Sequence, residues 1–292
     1  MKNESLNTLL DTLYEITGLH FSCDSDDSNI SDESVREIVS RLRSKLTPAQ
    51  VIDRYINGFM SYDEIQTASR EIHYDIPDYI DLIIISFNTE ITREAQSVLS
   101  SLYDSSSSVT IKKDDKTLLL IHSTDSITPA DDFLQVSRSI IDTLSMEAMI
   151  NATISFDRSC SLEELPVIYQ HTEMAMRIGR IFKSDETVYN YHDLGLGKLL
   201  YNLPKEACES FLKDSLPDVD FSKIDKETLN IINTFLESGL NIAEASRLLY
   251  MHRNTLVYRL DKFSKQTNLD IKSFDDAVLF RLGMMLYTYL NN

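Results

Sequence analysis

The sequence predicts a mainly helical α+β chain of several domains, and three observations predict it. Apolar residues recur at helical spacing through residues 1–78 and again through 226–292. Between 79 and 192 the rhythm changes to short apolar runs alternating with helical patterns. An acidic, proline-containing stretch near 216–225 then reads as a linker. The expected domains are therefore a helical N-terminal region over 1–78, an α/β domain with trailing helices over 79–215, and an all-α domain over 226–292.

Leu6, Leu9, Leu10, Leu13 and Ile16 form one amphipathic stripe, followed by an acidic, serine-rich stretch over 22–32. Asp24, Asp26 and Ser28 fall at the first three ligand positions of an EF-hand loop. However, Asn29 replaces the turn glycine and Val35 the bidentate glutamate, so a solvated loop is expected. A helix is expected over 32–45. Two further helix starts follow, Thr47-Pro48-Ala49-Gln50 with proline in the first turn, and Ser61-Tyr62-Asp63-Glu64. The pair carries Val51, Ile52, Tyr55, Ile56 and Phe59, then Ile65, Ala68 and Ile72. Its second helix offers Gln66 and Arg70 but little other basic charge, so it reads as packing or dimerisation structure rather than a DNA reader.

In the middle region, 79–87 is a nearly continuous isoleucine-rich run typical of a buried strand, and 92–103 reads as a helix. Strands over 109–113 and 117–122 flank a charged turn; a helix over 131–146, a strand over 150–156, a helix over 162–182 and a strand near 187–191 follow. The order βαββαβ with a central hairpin predicts a sheet covered by helices on one face, the ferredoxin-like layout.

After Leu203-Pro204 a helix runs to about 212, and Asp225 is placed to cap the next, over 226–237, which Gly239 stops. Asn241 then caps a short helix, with Glu244 positioned to reciprocate and Ala243, Ala245, Leu248 and Leu249 as its inner face. A second helix begins at His252 and buries Leu256, Leu260 and Phe263. Arg253, Asn254, Val257 and Tyr258 point outward near its start. In a helix-turn-helix that end enters the major groove, where arginine pairs with guanine and asparagine with adenine. Arg247, Thr255, Arg259, Lys262 and Lys265 are the expected phosphate contacts. The last helix, 275–290, carries Val278, Leu282, Met285, Leu286 and Tyr289 as its core or dimer stripe.

Charge supports double-stranded DNA as partner through its distribution. The chain carries a net −18, a field that repels phosphate, yet residues 221–292 hold nine Lys and Arg against eight Asp and Glu. Within 247–265 five basic residues face Asp261 alone, so the basic patch lies where the motif needs it. One monomer contacts too few base pairs for selectivity, so a homodimer reading two half-sites is expected.

His252-Arg253-Asn254-Thr255-Leu256-Val257-Tyr258-Arg259-Leu260 resembles the signature of the PucR/CdaR family of bacterial transcription regulators. Two further stretches, 174–182 and 188–200, are similar to segments that precede the DNA-binding domain in those regulators, and the resemblance covers about residues 80–292. It implies a middle domain similar to the GGDEF fold of nucleotide cyclases, and a small-molecule effector. Active cyclases carry Gly-Gly-Asp/Glu-Glu-Phe at the hairpin, with glycines for nucleotide approach and carboxylates for metal. Here the turn is Lys112-Lys113-Asp114-Asp115-Lys116, and Asp81 is the one spare carboxylate on the first strand. A fold that has lost the chemistry is expected, used for sensing or dimerisation.

No catalytic residues, cofactor or metal site are expected. The six histidines show no ligand spacing, and no P-loop, Gly-x-Ser-x-Gly or Gly-x-Gly-x-x-Gly occurs. Gly195 and Gly197 imitate a phosphate loop but suit a structural role. Cys23, Cys160 and Cys208 lack CxxC spacing and imply a reducing compartment; without an apolar leader or membrane span the protein is expected to be cytoplasmic. The alternative reading is a ligand- or partner-binding signalling module with weak or vestigial DNA binding, favoured by the acidic body.

Overall fold

The computed structural model describes residues 46–104 and 106–292. The expected helices at 6–16 and 32–45, and the acidic stretch between them, lie outside the described residues. The described chain forms two compact units, the first ending at 177 with 185–193 added, the second comprising 178–184 and 194–292.

The first unit opens with α1 (Pro48–Ile56) and α2 (Tyr62–Glu71), each closed by a complete reciprocal capping box from Thr47 with Gln50 and Ser61 with Glu64. Val51, Ile52, Tyr55, Ile56, Ile65 and Ala68 are buried, whereas Phe59, expected in the same stripe, is exposed beyond the helix end. Next come β1 (Tyr79–Phe87), α3 (Arg93–Leu102), β2 (Ser108–Lys112), β3 (Thr117–Thr124), α4 (Ala130–Ala148), β4 (Ala152–Phe156), α5 (Leu165–Phe182) and β5 (Val188–Asn190). The sheet order is β2-β3-β1-β4-β5, antiparallel throughout except for the parallel pair β4 and β5.

Ile83, Ile85 and Phe87 pack with Phe133, Ile140 and Leu144 of α4 and Ala95, Val98 and Leu99 of α3. The sheet is not covered on one face alone. Ser155, on the opposite side of β4 from Ile154 and Phe156, donates to the Thr172 carbonyl of α5 at 2.8 Å. Burial on both faces is why β1 reads as an unbroken apolar run instead of an alternating one.

In the second unit α6 (Leu196–Tyr201) and α7 (Lys205–Ser215) lead to α8 (Lys226–Glu237), α9 (Ile242–Leu248), α10 (Arg253–Thr267) and α11 (Phe274–Leu290). Gly197 serves packing, since a Cβ there would stand 2.8 Å from Ile178 Cγ2. The expected linker is packed structure: Leu216 is buried, and Val219, Phe221 and Ile224 lie against the same core as Ile231, Phe235 and Phe280. Three aspartates in the stretch hide this apolar pattern. On α11 the buried stripe is Ala277, Phe280, Gly283 and Leu286, while Val278 is exposed. The helix is apolar nearly all round, so periodicity alone selects no face.

Candidate nucleic-acid interface

The site is built by capping and by left-handed residues at its turns. Asp225 caps α8 by accepting from the Thr228 N–H at 2.9 Å, and Gly239 (φ +64°) and Leu240 (φ +61°) turn the chain after it. Asn241 then accepts from the N–H groups of Ala243 (3.0 Å) and Glu244 (3.2 Å) to start α9. Glu244 does not reciprocate; its carboxylate turns to Arg247 at 2.6 Å, which holds it below its ordinary pKa. The inner face of α9 also differs from expectation: Ala245 and Ser246 are buried, Ile242 and Leu249 partly so, and Ala243 and Leu248 are exposed.

The turn into α10 is a Schellman motif, with Met251 N–H donating to Ser246 O (3.0 Å) and Tyr250 N–H to Arg247 O (3.2 Å). His252 is the N-cap, its Nδ1 accepting from the Asn254 N–H at 3.2 Å. Leu256, Leu260 and Phe263 face inward as expected, joined by Thr267, and the Phe263 and Phe280 rings meet edge to face at 5.1 Å. Ala245 lies in the same buried cluster as Leu256, Leu260 and Phe263.

Of the expected base readers, Arg253, Asn254 and Tyr258 are exposed, and Val257 is half-buried at the flank of the helix. Asn254, Tyr258 and Lys265 share the stripe opposite the buried one. Thr255 and Lys262 are exposed beside them. Two of the five expected cations are engaged: Arg247 by Glu244, and Arg259 by Glu227 of α8 at 3.1 Å. Asp261 is engaged in turn by Lys272 at 2.6 Å. The local surplus of positive charge is thus smaller than the sequence count over 247–265.

The hairpin carboxylates have structural partners. Asp114 accepts from the Lys116 N–H at 2.7 Å, which lowers its pKa, and Asp115 pairs with Lys112 at 2.7 Å. Lys113 pairs with Asp53 at 2.7 Å. Asp81 accepts from Thr128 (2.6 Å) and from Ser159. The Cys160 thiol is pushed up to about 12, chiefly by burial. No group of three or more His, Cys, Asp or Glu suited to hold a metal ion occurs among the described residues.

One cluster was invisible to spacing. Buried Asp157, just past β4, meets His171 Nδ1 of α5 at 2.8 Å through Oδ2, and His192 Nε2 lies 2.7 Å from Oδ1, off hydrogen-bond alignment. The His171 ring stacks on Tyr191 at 4.0 Å. The three polar residues are far apart in sequence, so no local pattern could have grouped them.

Residues 228–286 match the PucR C-terminal helix-turn-helix domain. The chain is 26% identical over 178 residues to the purine catabolism regulatory protein of Bacillus subtilis (strain 168), covering 58% of this chain and 32% of that protein. It is 27% identical over 118 residues to the carbohydrate diacid regulator of Escherichia coli (strain K12), covering 40% and 31%. Against the DNA-binding transcriptional activator AdeR of Bacillus subtilis (strain 168), identity is 23% over 242 residues, covering 77% of this chain and 55% of that protein. The chain therefore spans between about a third and about half the length of these relatives. No helix among the described residues is long and apolar enough to cross a membrane.

Proposed function

We propose that the chain is a PucR/CdaR-type regulator, joined to that family through its helix-turn-helix domain: a sequence-specific DNA-binding transcription regulator acting as a homodimer in the cytoplasm. The observation that carries this is α10: a buried stripe anchors the helix while Arg253, Asn254 and Tyr258 stand exposed at its capped N-terminal end. Asn254 and Arg253 read base edges, with Tyr258 and the flank of Val257 supplying apolar contact. Thr255, Lys262 and Lys265 hold phosphates; Arg247 and Arg259 join them by leaving Glu244 and Glu227.

The middle domain, in this reading, is a GGDEF-like fold without cyclase chemistry, serving to bind a small-molecule effector or to dimerise. The strand order β2-β3-β1-β4 is that of a split βαβ unit, with β5 added at the edge. The hairpin turn lacks glycines, and Asp81, Asp114 and Asp115 already have partners.

Fluorescence anisotropy of the full chain tests the proposal, using DNA from upstream of its own and neighbouring genes against scrambled duplex at several salt concentrations. A preference of about a thousandfold or more, abolished by Arg253→Ala with Asn254→Ala, is expected. Weak binding equal on both duplexes would instead favour a signalling module with vestigial DNA binding, a reading supported by the net −18.

A further inference from the structure

We propose that Tyr250 is an additional DNA contact, its hydroxyl donating to a backbone phosphate beside the groove that α10 enters; the inference rests on the DNA-binding reading above. Tyr250 occupies the left-handed position of the Schellman turn at φ +52°. Glycine is the usual residue there, because a Cβ in that conformation crowds the carbonyl and costs about 1 kcal/mol or more. The fold offers no packing in return, since the side chain is 98% exposed.

The other left-handed residues show what makes Tyr250 different. Leu240, at φ +61°, recovers its strain by packing on the core of the second unit. Asn268 and His73 are residue types that tolerate the conformation. Met149, at φ +55° and 92% exposed, shows that conformation and exposure alone mark no site. Tyr250 adds position: it lies between the two helices of the motif, two residues before the N-cap of α10 and three before Arg253. In this motif the first helix crosses the DNA backbone and the start of the second enters the groove, so the connecting turn passes the sugar–phosphate chain. A phenol exposed there is a neutral donor of the kind that hydrogen-bonds phosphate oxygens, and a contact to phosphate carries no sequence information.

The test uses the full chain with Tyr250→Gly and Tyr250→Phe, thermal unfolding, and anisotropy on upstream and scrambled duplexes. Tyr250→Gly is expected to raise the melting temperature while weakening binding about tenfold on both duplexes alike, and Tyr250→Phe to weaken it similarly. Unchanged affinity in Tyr250→Gly overturns the proposal. A loss confined to the upstream duplex overturns the phosphate assignment in favour of base reading, wild-type affinity in Tyr250→Phe overturns the hydroxyl's role, and a lowered melting temperature in Tyr250→Gly overturns the strain argument. A wild-type chain that binds neither duplex defeats the DNA-binding reading itself, which separates the two failures.

Discussion

Gly283→Ala is expected to destabilise the second unit, although alanine is normally the better helix residue by about 1 kcal/mol. A Cβ at 283 would stand 2.2 Å from Leu216 Cδ1 and 2.8 Å from Phe221 Cζ. Ordinary carbon contacts lie at about 3.5–4.0 Å, so the Leu216 methyl must retreat by more than about 1 Å. It has little room, being 4% exposed, and the Phe221 ring is stacked against Phe280 at 5.7 Å and Tyr287 at 5.4 Å. Overpacking of this kind costs about 1–3 kcal/mol, and with a contact this short the upper part of that range applies, which exceeds the propensity gain of about 1 kcal/mol and leaves a net loss of up to about 2 kcal/mol. For a unit of about 100 residues that lowers the melting temperature by several degrees. Circular dichroism melts of Gly283→Ala, Leu216→Ala and the double variant check it: in the Leu216→Ala background the added methyl should become neutral or stabilising. A stabilising Gly283→Ala in the wild-type background would refute the reasoning, and with it the finding that 216–221 packs tightly on α11.

Replacing Asn254 by alanine should cost about 1–3 kcal/mol on the preferred duplex and leave scrambled DNA unaffected; equal losses on both would remove its base-reading role. Glu227→Gln removes the ion pair that Arg259 must leave and should strengthen binding to every duplex, while stability changes by less than about 1 kcal/mol because the pair is exposed. Unchanged affinity would mean that Arg259 never reaches phosphate. Asp157→Ala removes the carboxylate shared by His171 and His192 and should destabilise the first unit by about 1–3 kcal/mol, read as earlier unfolding, with DNA affinity of the folded protein unchanged.

Where structure is set by neighbours within one helical turn, the sequence was sufficient. The boxes at Thr47 and Ser61, the cap at Asp225, the strand over 79–87 and the inward stripe of Leu256, Leu260 and Phe263 all follow from side chains three or four residues apart or from an apolar run. The same local logic reached Asn241 but misplaced Glu244, because Arg247 on the next turn competes for its carboxylate with a full charge.

Tertiary structure decided the matters that depend on which of several apolar or charged options finds a partner. α11 is apolar on several sides, and only Leu216 and Phe221, arriving from a stretch that reads as an acidic linker, choose the face containing Gly283. Arg259 counts as a free cation in the sequence and as a partner of Glu227 in the fold. Asp157, His171 and His192 meet because β4, α5 and the turn after β5 converge. Sequence periodicity records which residues can share a face, whereas burial and ion pairing depend on what a distant segment brings to that face, and that is settled only when the chain is packed.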